Sequence, residues 1–129
     1  MTLPITTILT SLLAIWLLVL SKKIIDQRGV AKTPLGDGGD DILLRRIRSQ
    51  ANLVEYAPFM MVLVALAEFQ GANSWIIGVL AAVFLLGRLA HGYALSFTSH
   101  NPRGRFYGTV ATWTCIALMA LHNLAMLLF

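Results

Sequence analysis

Residues 106–129 read FYGTVATWTCIALMALHNLAMLLF, a stretch without one Asp, Glu, Lys or Arg. At ~1.5 Å of rise per residue, a helix of this length covers the roughly 30 Å of a bilayer's hydrocarbon core. Residues 3–20, LPITTILTSLLAIWLLVL, are equally free of charge, and Ser21, Lys22 and Lys23 follow them. A cleaved secretion signal is not expected, because the cations come after the apolar run and no small-residue cleavage site closes it.

Together with these two stretches, the remaining apolar runs predict helices over residues 3–23, 49–70, 75–97 and 106–129. The breaks are turn chemistry: Pro34, Gly36, Asp37, Gly38 and Gly39 in loop one, Gly71 to Asn73 in loop two, and Asn101, Pro102 and Gly104 in loop three. The expected fold is therefore all-α, an up-and-down four-helix bundle in the membrane, with residues 1–129 forming a single membrane domain.

Composition agrees. Of the 129 residues 57% are apolar and 12% are charged, against about 45–50% and about 25% in soluble domains. The net charge of +4 does not make a nucleic-acid surface, because seven of the ten Lys and Arg residues lie between Lys22 and Arg48. A lone cysteine, Cys115 in an apolar run, excludes an internal disulfide and a CxxC metal pair. No metal-ligand set is present in the sequence. Loops one and three hold all the Lys and Arg outside helix three, which places both loops in the cytoplasm and both termini opposite.

Polar residues gather near that cytoplasmic end. Positions 45, 48, 52, 55, 56 and 59 follow helical steps along one stripe, carrying Arg45, Arg48, Asn52, Glu55, Tyr56 and Phe59. Arg45 and Arg46 are expected as solvated cations beside anionic head groups. Asn52 and Glu55 lie one to two turns deeper, where an ionisable group costs on the order of 3 kcal/mol and takes a partner within the bundle. Matched depth pairs Glu55 with Arg88 of helix three, and His91 follows one turn later. His122 and Asn123 are expected to make hydrogen bonds between helices or to be interface residues, and Glu68 and Trp75 to flank the outer turn. Guanidinium forks suit carboxylates and a lone carboxylate suits an amine, so the inventory fits a small zwitterion with several carboxylates.

At these residues the sequence resembles the MAPEG family, the membrane-associated proteins in eicosanoid and glutathione metabolism, and looks most like its small bacterial branch. The resemblance is carried by Leu35-Gly-Asp-Gly-Gly39, by Arg48-Ser-Gln-Ala-Asn52-Leu-Val-Glu55-Tyr56-Ala-Pro58, by Gly87-Arg88-Leu-Ala-His91, and by Arg105-Phe-Tyr-Gly108. It implies a homotrimer in a bacterial inner membrane that binds glutathione between subunits near the cytoplasmic face. By position, Arg48, Asn52, Glu55 and Tyr56 are implied to hold the peptide, with Gln50 and Arg28 as helpers and Arg88 and His91 contacting or supporting it. Arg105 matches the arginine placed at the thiol, and Arg103 takes that place if loop three is gapped differently. The tyrosine that eicosanoid members carry four residues beyond His91 is Leu95 here, with Tyr93 two residues earlier as its possible substitute.

The implied activity is that of a glutathione-dependent transferase or peroxidase, acting on a lipophilic electrophile or lipid hydroperoxide. The alternative is a trimeric membrane protein of the same fold that binds a lipid or partner without turnover. A transporter or channel would need polar residues through the full membrane depth, and the outer halves of these helices are almost wholly apolar.

Overall fold

The computed structural model describes residues 2–128. Four helices follow in order: α1 Pro4–Ala31, α2 Asp41–Phe69, α3 Ser74–Ser96 and α4 Pro102–Leu128. All four are long and apolar enough to cross a membrane. Phe129, the expected end of the last helix, lies outside the described residues.

The expected spans coincide with the four helices, shifted by one residue at α3 and extended at the loop-one or loop-three end of the other three. α1 runs on to Ala31 and α2 already begins at Asp41, so loop one shrinks to a tight connection. Hydropathy marks where the hydrocarbon ends, but a helix continues into water while caps and charge pairs support it. Lys22 donates to Asp26 one turn later at 2.5 Å. Asp40 caps α2 by accepting from the Leu43 N–H at 2.7 Å, and its other oxygen accepts from the Gln27 amide of α1 at 2.9 Å. The two helix ends are thereby tied together. Gly38 sits at φ +60, and a Cβ there would fall 2.4 Å from the Thr33 hydroxyl oxygen, so the turn needs glycine. α4 likewise starts four residues early, at Pro102, with Asn101 Oδ1 accepting from the Gly104 N–H at 2.9 Å. Arg103 and Arg105 therefore belong to the first turn of a helix rather than to a loop.

At the opposite end, Leu3 makes no side-chain cap on α1, and the cap comes from another helix. Glu68 accepts from the Ile5 and Thr6 N–H groups at 2.9 and 2.8 Å and from the Thr6 hydroxyl at 2.6 Å. These are orphan donors of a helix start, which a bilayer interface leaves poorly solvated.

α2 and α3 form the central pair. α1 packs on one side of both and α4 on the other, so among the described residues α1 and α4 do not touch. The core between them holds Leu13, Leu20, Leu53, Met60, Val64, Ile77, Phe84 and Met119. Much of the remaining apolar surface points outward, including Ile8, Leu18, Phe59, Val62, Leu86 and Trp113. Such a surface is untenable in water and is what acyl chains solvate. In that solvent helices gain little from burying apolar groups against each other, and close approach of small residues takes over. α3 and α4 cross at Gly87 and Gly108, where a Cβ on Gly108 would lie 2.6 Å from the Gly87 carbonyl oxygen and 2.9 Å from His91 Cβ.

Candidate functional site

The glycine crossing brings three polar groups of different helices to one place. Arg88, 2% exposed, donates from Nη1 to Asn52 Oδ1 at 2.6 Å and from Nη2 to the Gly108 carbonyl at 3.1 Å. Thr112 donates its hydroxyl to the same Gly108 carbonyl at 2.7 Å. The Tyr56 ring centroid lies 5.7 Å from the guanidinium carbon, within cation–π range. Arg88 Nε is buried without a partner.

No carboxylate neutralises this cation among the described residues, so the expected Glu55–Arg88 pair is corrected. Residues 52 and 56 stand one turn apart and share the face of α2 that meets α3, whereas Glu55 is rotated away from it. Position 48, two turns back, lies on the Glu55 stripe. Glu55 Oε1 accordingly lies 3.8 Å from Arg48 Nη2, with both side chains about half exposed, at 51% and 57%. Equal depth was compatible with a contact, but the angle around the helix forbids it.

Beside Asn52 opens a cleft of about 250 Å³ lined by Leu44, Arg45, Arg48, Asn52, His91, Leu95 and Arg105. A wider cleft of about 530 Å³ shares Arg45, Leu95 and Arg105 with it and extends along Ser99, His100, Asn101 and Phe106. Three arginines thus line the cleft, a fourth lies behind Asn52, and among the described residues the acid within 4 Å of any of them is Glu55, at Arg48. Its chemistry is that of a receptor for carboxylates. His91 is buried against the same wall, four residues before Leu95. Arg105 faces the cleft, while Arg103, in the same helical turn, is exposed and outside its lining.

Three of the expected site residues stand elsewhere in the molecule. Gln50, on the opposite side of α2, donates to Ser21 Oγ of α1 at 2.6 Å. Arg28 donates to the Thr33 and Gly36 carbonyls at 3.2 and 2.9 Å, closing loop one over the end of α1. Tyr93 lies half a turn from His91 and stacks on Phe97 with centroids 5.4 Å apart, and Phe97 stacks in turn on Trp16 at 5.9 Å. Lys23 Nζ lies over the Phe97 ring, 4.5 Å from its centroid. Tyr93 therefore does not occupy the place of a tyrosine at position 95, and Leu95 gives the cleft an apolar wall.

Arg45 and Arg46 are not freely solvated cations. Arg46 donates to the Lys23 carbonyl at 2.8 Å, and Arg45 donates to three carbonyls at the end of α3. The stripe that carries Arg48 and Asn52 also contains position 45, which was the available signal that it faces the bundle. At the far end, Asn123 donates to the Leu63 carbonyl at 2.8 Å and accepts from Gln70 at 3.4 Å, a hydrogen-bonded link between α4 and α2 as expected.

The family model described as the MAPEG family matches residues 6–125, which reach from the first turn of α1 to the last turn of α4 and include every residue of the cleft. The chain belongs to the MAPEG family. Among curated relatives, Inner membrane protein YecN of Escherichia coli strain K12 is 37% identical over 111 residues, which is 86% of this chain and 83% of that protein. The same protein of Escherichia coli O6:H1 matches with the same identity and coverage. As a MAPEG protein with four spanning helices, the molecule is an integral membrane four-helix bundle.

Proposed function

We propose that this MAPEG protein binds glutathione at the arginine-lined cleft and activates its thiol for attack on a lipophilic electrophile or a lipid hydroperoxide. The observation that carries the reading is a guanidinium buried at Arg88 with only neutral partners, set behind a cleft with Arg45, Arg48 and Arg105 on its walls. Desolvating a cation costs several kcal/mol that an amide, a carbonyl and a phenol ring offset only in part, so the site favours an anionic guest. Glutathione offers two carboxylates, one ammonium and one thiol, and the residues present fit it. Arg48 and the Arg88–Asn52 pair suit the carboxylates, exposed Glu55 suits the ammonium, and Arg105 remains for the sulfur.

The chemistry supplied by glutathione is that of a thiolate nucleophile. Its thiol has a reference pKa of about 8.5, so only a few per cent is ionised at neutral pH, and a guanidinium beside the sulfur raises that share. Arg105, fixed in the first turn of α4, holds its charge where the anion forms. In conjugation the sulfur bonds to the electrophilic carbon, the leaving group departs with its electron pair and the thiol proton passes to water. With a hydroperoxide, two glutathiones give one disulfide, an alcohol and water. The apolar outer faces let a lipid-soluble acceptor approach from the bilayer.

The family resemblance adds a homotrimer with the ligand between subunits. Arg28 and Gln50 lie on faces turned from the cleft, so in such a trimer any contact they make is with the ligand of a neighbouring subunit. The positive-inside distribution and the inner-membrane naming of the relatives support a bacterial inner membrane, with the cleft facing the cytoplasm.

Steady-state kinetics with a chromogenic aryl halide and calorimetric glutathione binding test the reading. Arg105→Ala is expected to keep affinity within a few-fold while lowering kcat by roughly 100-fold, the size associated with removing one group that stabilises developing charge. Arg103→Ala should behave as wild type. The reverse outcome would transfer the thiol role to Arg103.

A further inference from the structure

We infer that Arg45 is a positioning residue that sets Arg105 over the cleft by clamping the turn between α3 and α4, an inference that rests on the thiol-activating role proposed for Arg105. Its guanidinium spans the helix end: Nη1 donates to the Ser99 carbonyl at 2.5 Å, and Nη2 donates to the Ala94 and Thr98 carbonyls at 2.9 and 2.7 Å. These acceptors lie 49 to 54 residues away in sequence, so the bonds join the start of α2 to a different helix pair.

The carbonyls at the end of a helix have no partner within it, and the α3 terminus carries the negative end of the helix dipole. The last turn of α3 contains no basic residue of its own. Arg45 supplies both the donors and the charge from α2. Thr98 also donates its hydroxyl to the Ala94 carbonyl at 2.7 Å, so that oxygen fastens two groups of the turn at once.

From the clamp to Arg105 the backbone has little freedom. Two residues beyond Ser99, Asn101 caps α4 through Gly104, and the Arg105 N–H donates to the Asn101 carbonyl at 3.3 Å. A Cβ on Gly104 would lie 3.2 Å from that of Ala94, which leaves the start of α4 seated directly on the residue whose carbonyl Arg45 holds. Arg45, Leu95 and Arg105 line both clefts. With its fork committed to the turn, Arg45 acts on chemistry through the placement of Arg105. A misplacement of about 1 Å at a reacting group lowers rates by as much as 100-fold.

Lysine separates placement from charge, since an ammonium keeps the cation but cannot bridge three carbonyls as a planar fork does. The test measures kcat, the glutathione KM and the ionisation midpoint of bound glutathione, read as thiolate absorbance, for Arg45→Lys, Arg105→Ala and the double variant. Arg45→Lys is expected to lower kcat roughly 10- to 100-fold, to raise the thiolate midpoint, and to leave KM within about threefold. Added to Arg105→Ala, it should cause little further loss, because the group it positions is already gone. A wild-type-like Arg45→Lys would overturn the inference, as would a raised KM at unchanged kcat or fully additive losses. If wild-type protein forms no thiolate with glutathione, the underlying functional reading fails instead.

Discussion

A buried arginine that meets no counter-ion among the described residues is unusual for a membrane helix, and its neighbours define its value. Asn52 is the side-chain partner that Arg88 has, at 2.6 Å, whereas Glu55 faces away and shares a half-exposed pair with Arg48. The two α2 residues should therefore separate sharply in stability. Asn52→Leu strands a desolvated guanidinium donor and is expected to destabilise the protein by about 3 kcal/mol or more. Glu55→Gln removes a solvent-screened pair and should change stability by less than about 1 kcal/mol, while weakening glutathione binding. Unfolding in detergent followed by circular dichroism measures both, and equal losses would restore Glu55 as the partner of Arg88. Sequence periodicity reveals which residue types lie deep in α2, which is why Asn52, Arg88 and His91 are legible without coordinates. It does not reveal which of two residues 60° apart around a helix meets the neighbour, because that depends on the crossing set by Gly87 and Gly108.

At the scale of elements, the four helices are legible because charge-free stretches of bilayer length have few other interpretations. Their ends are not, since hydropathy reports the hydrocarbon boundary and the caps lie outside it. Asp40 shows how such an end is held. The Leu43 N–H, and after it the Gln27 amide, hold its carboxyl below the usual carboxylate range. A carboxyl depressed in the folded state contributes stability that is present above its unfolded pKa of about 3.9 and is lost as pH falls through its lower folded value. Thermal melts between pH 7 and pH 3 should show wild type losing stability in the acid limb, with Asp40→Asn flatter there. Identical slopes would show that the cap carries no charge dependence. The α3–α4 crossing makes a second prediction at this scale. Gly108→Ala places a methyl 2.6 Å from the Gly87 carbonyl oxygen and disturbs the carbonyl that receives Arg88, with an expected loss of about 1–3 kcal/mol by melting in detergent. No loss would mean that the helices separate there without consequence.

For the whole molecule, the arrangement divides labour between its two ends and its sides. The loop-one and loop-three end collects the arginines, the far end is closed by Glu68 of α2 bonded to the start of α1 and by Asn123 of α4 bonded to α2, and the flanks remain apolar. This division was legible in the distribution of charge along the chain. The placement of Gln50, Arg28 and Tyr93 away from the cleft was not, because a sequence pattern gives the order of residues and not which helix face each one occupies. Under the proposed function this end ionises a bound thiol, and an ultraviolet difference titration of the purified wild-type protein with glutathione across pH tests that directly. A saturable thiolate band already present at neutral pH, well below the free thiol's pKa of about 8.5, and lost in Arg105→Ala, is the predicted result. Saturable glutathione binding with no thiolate band until the free-thiol pKa is reached would contradict it.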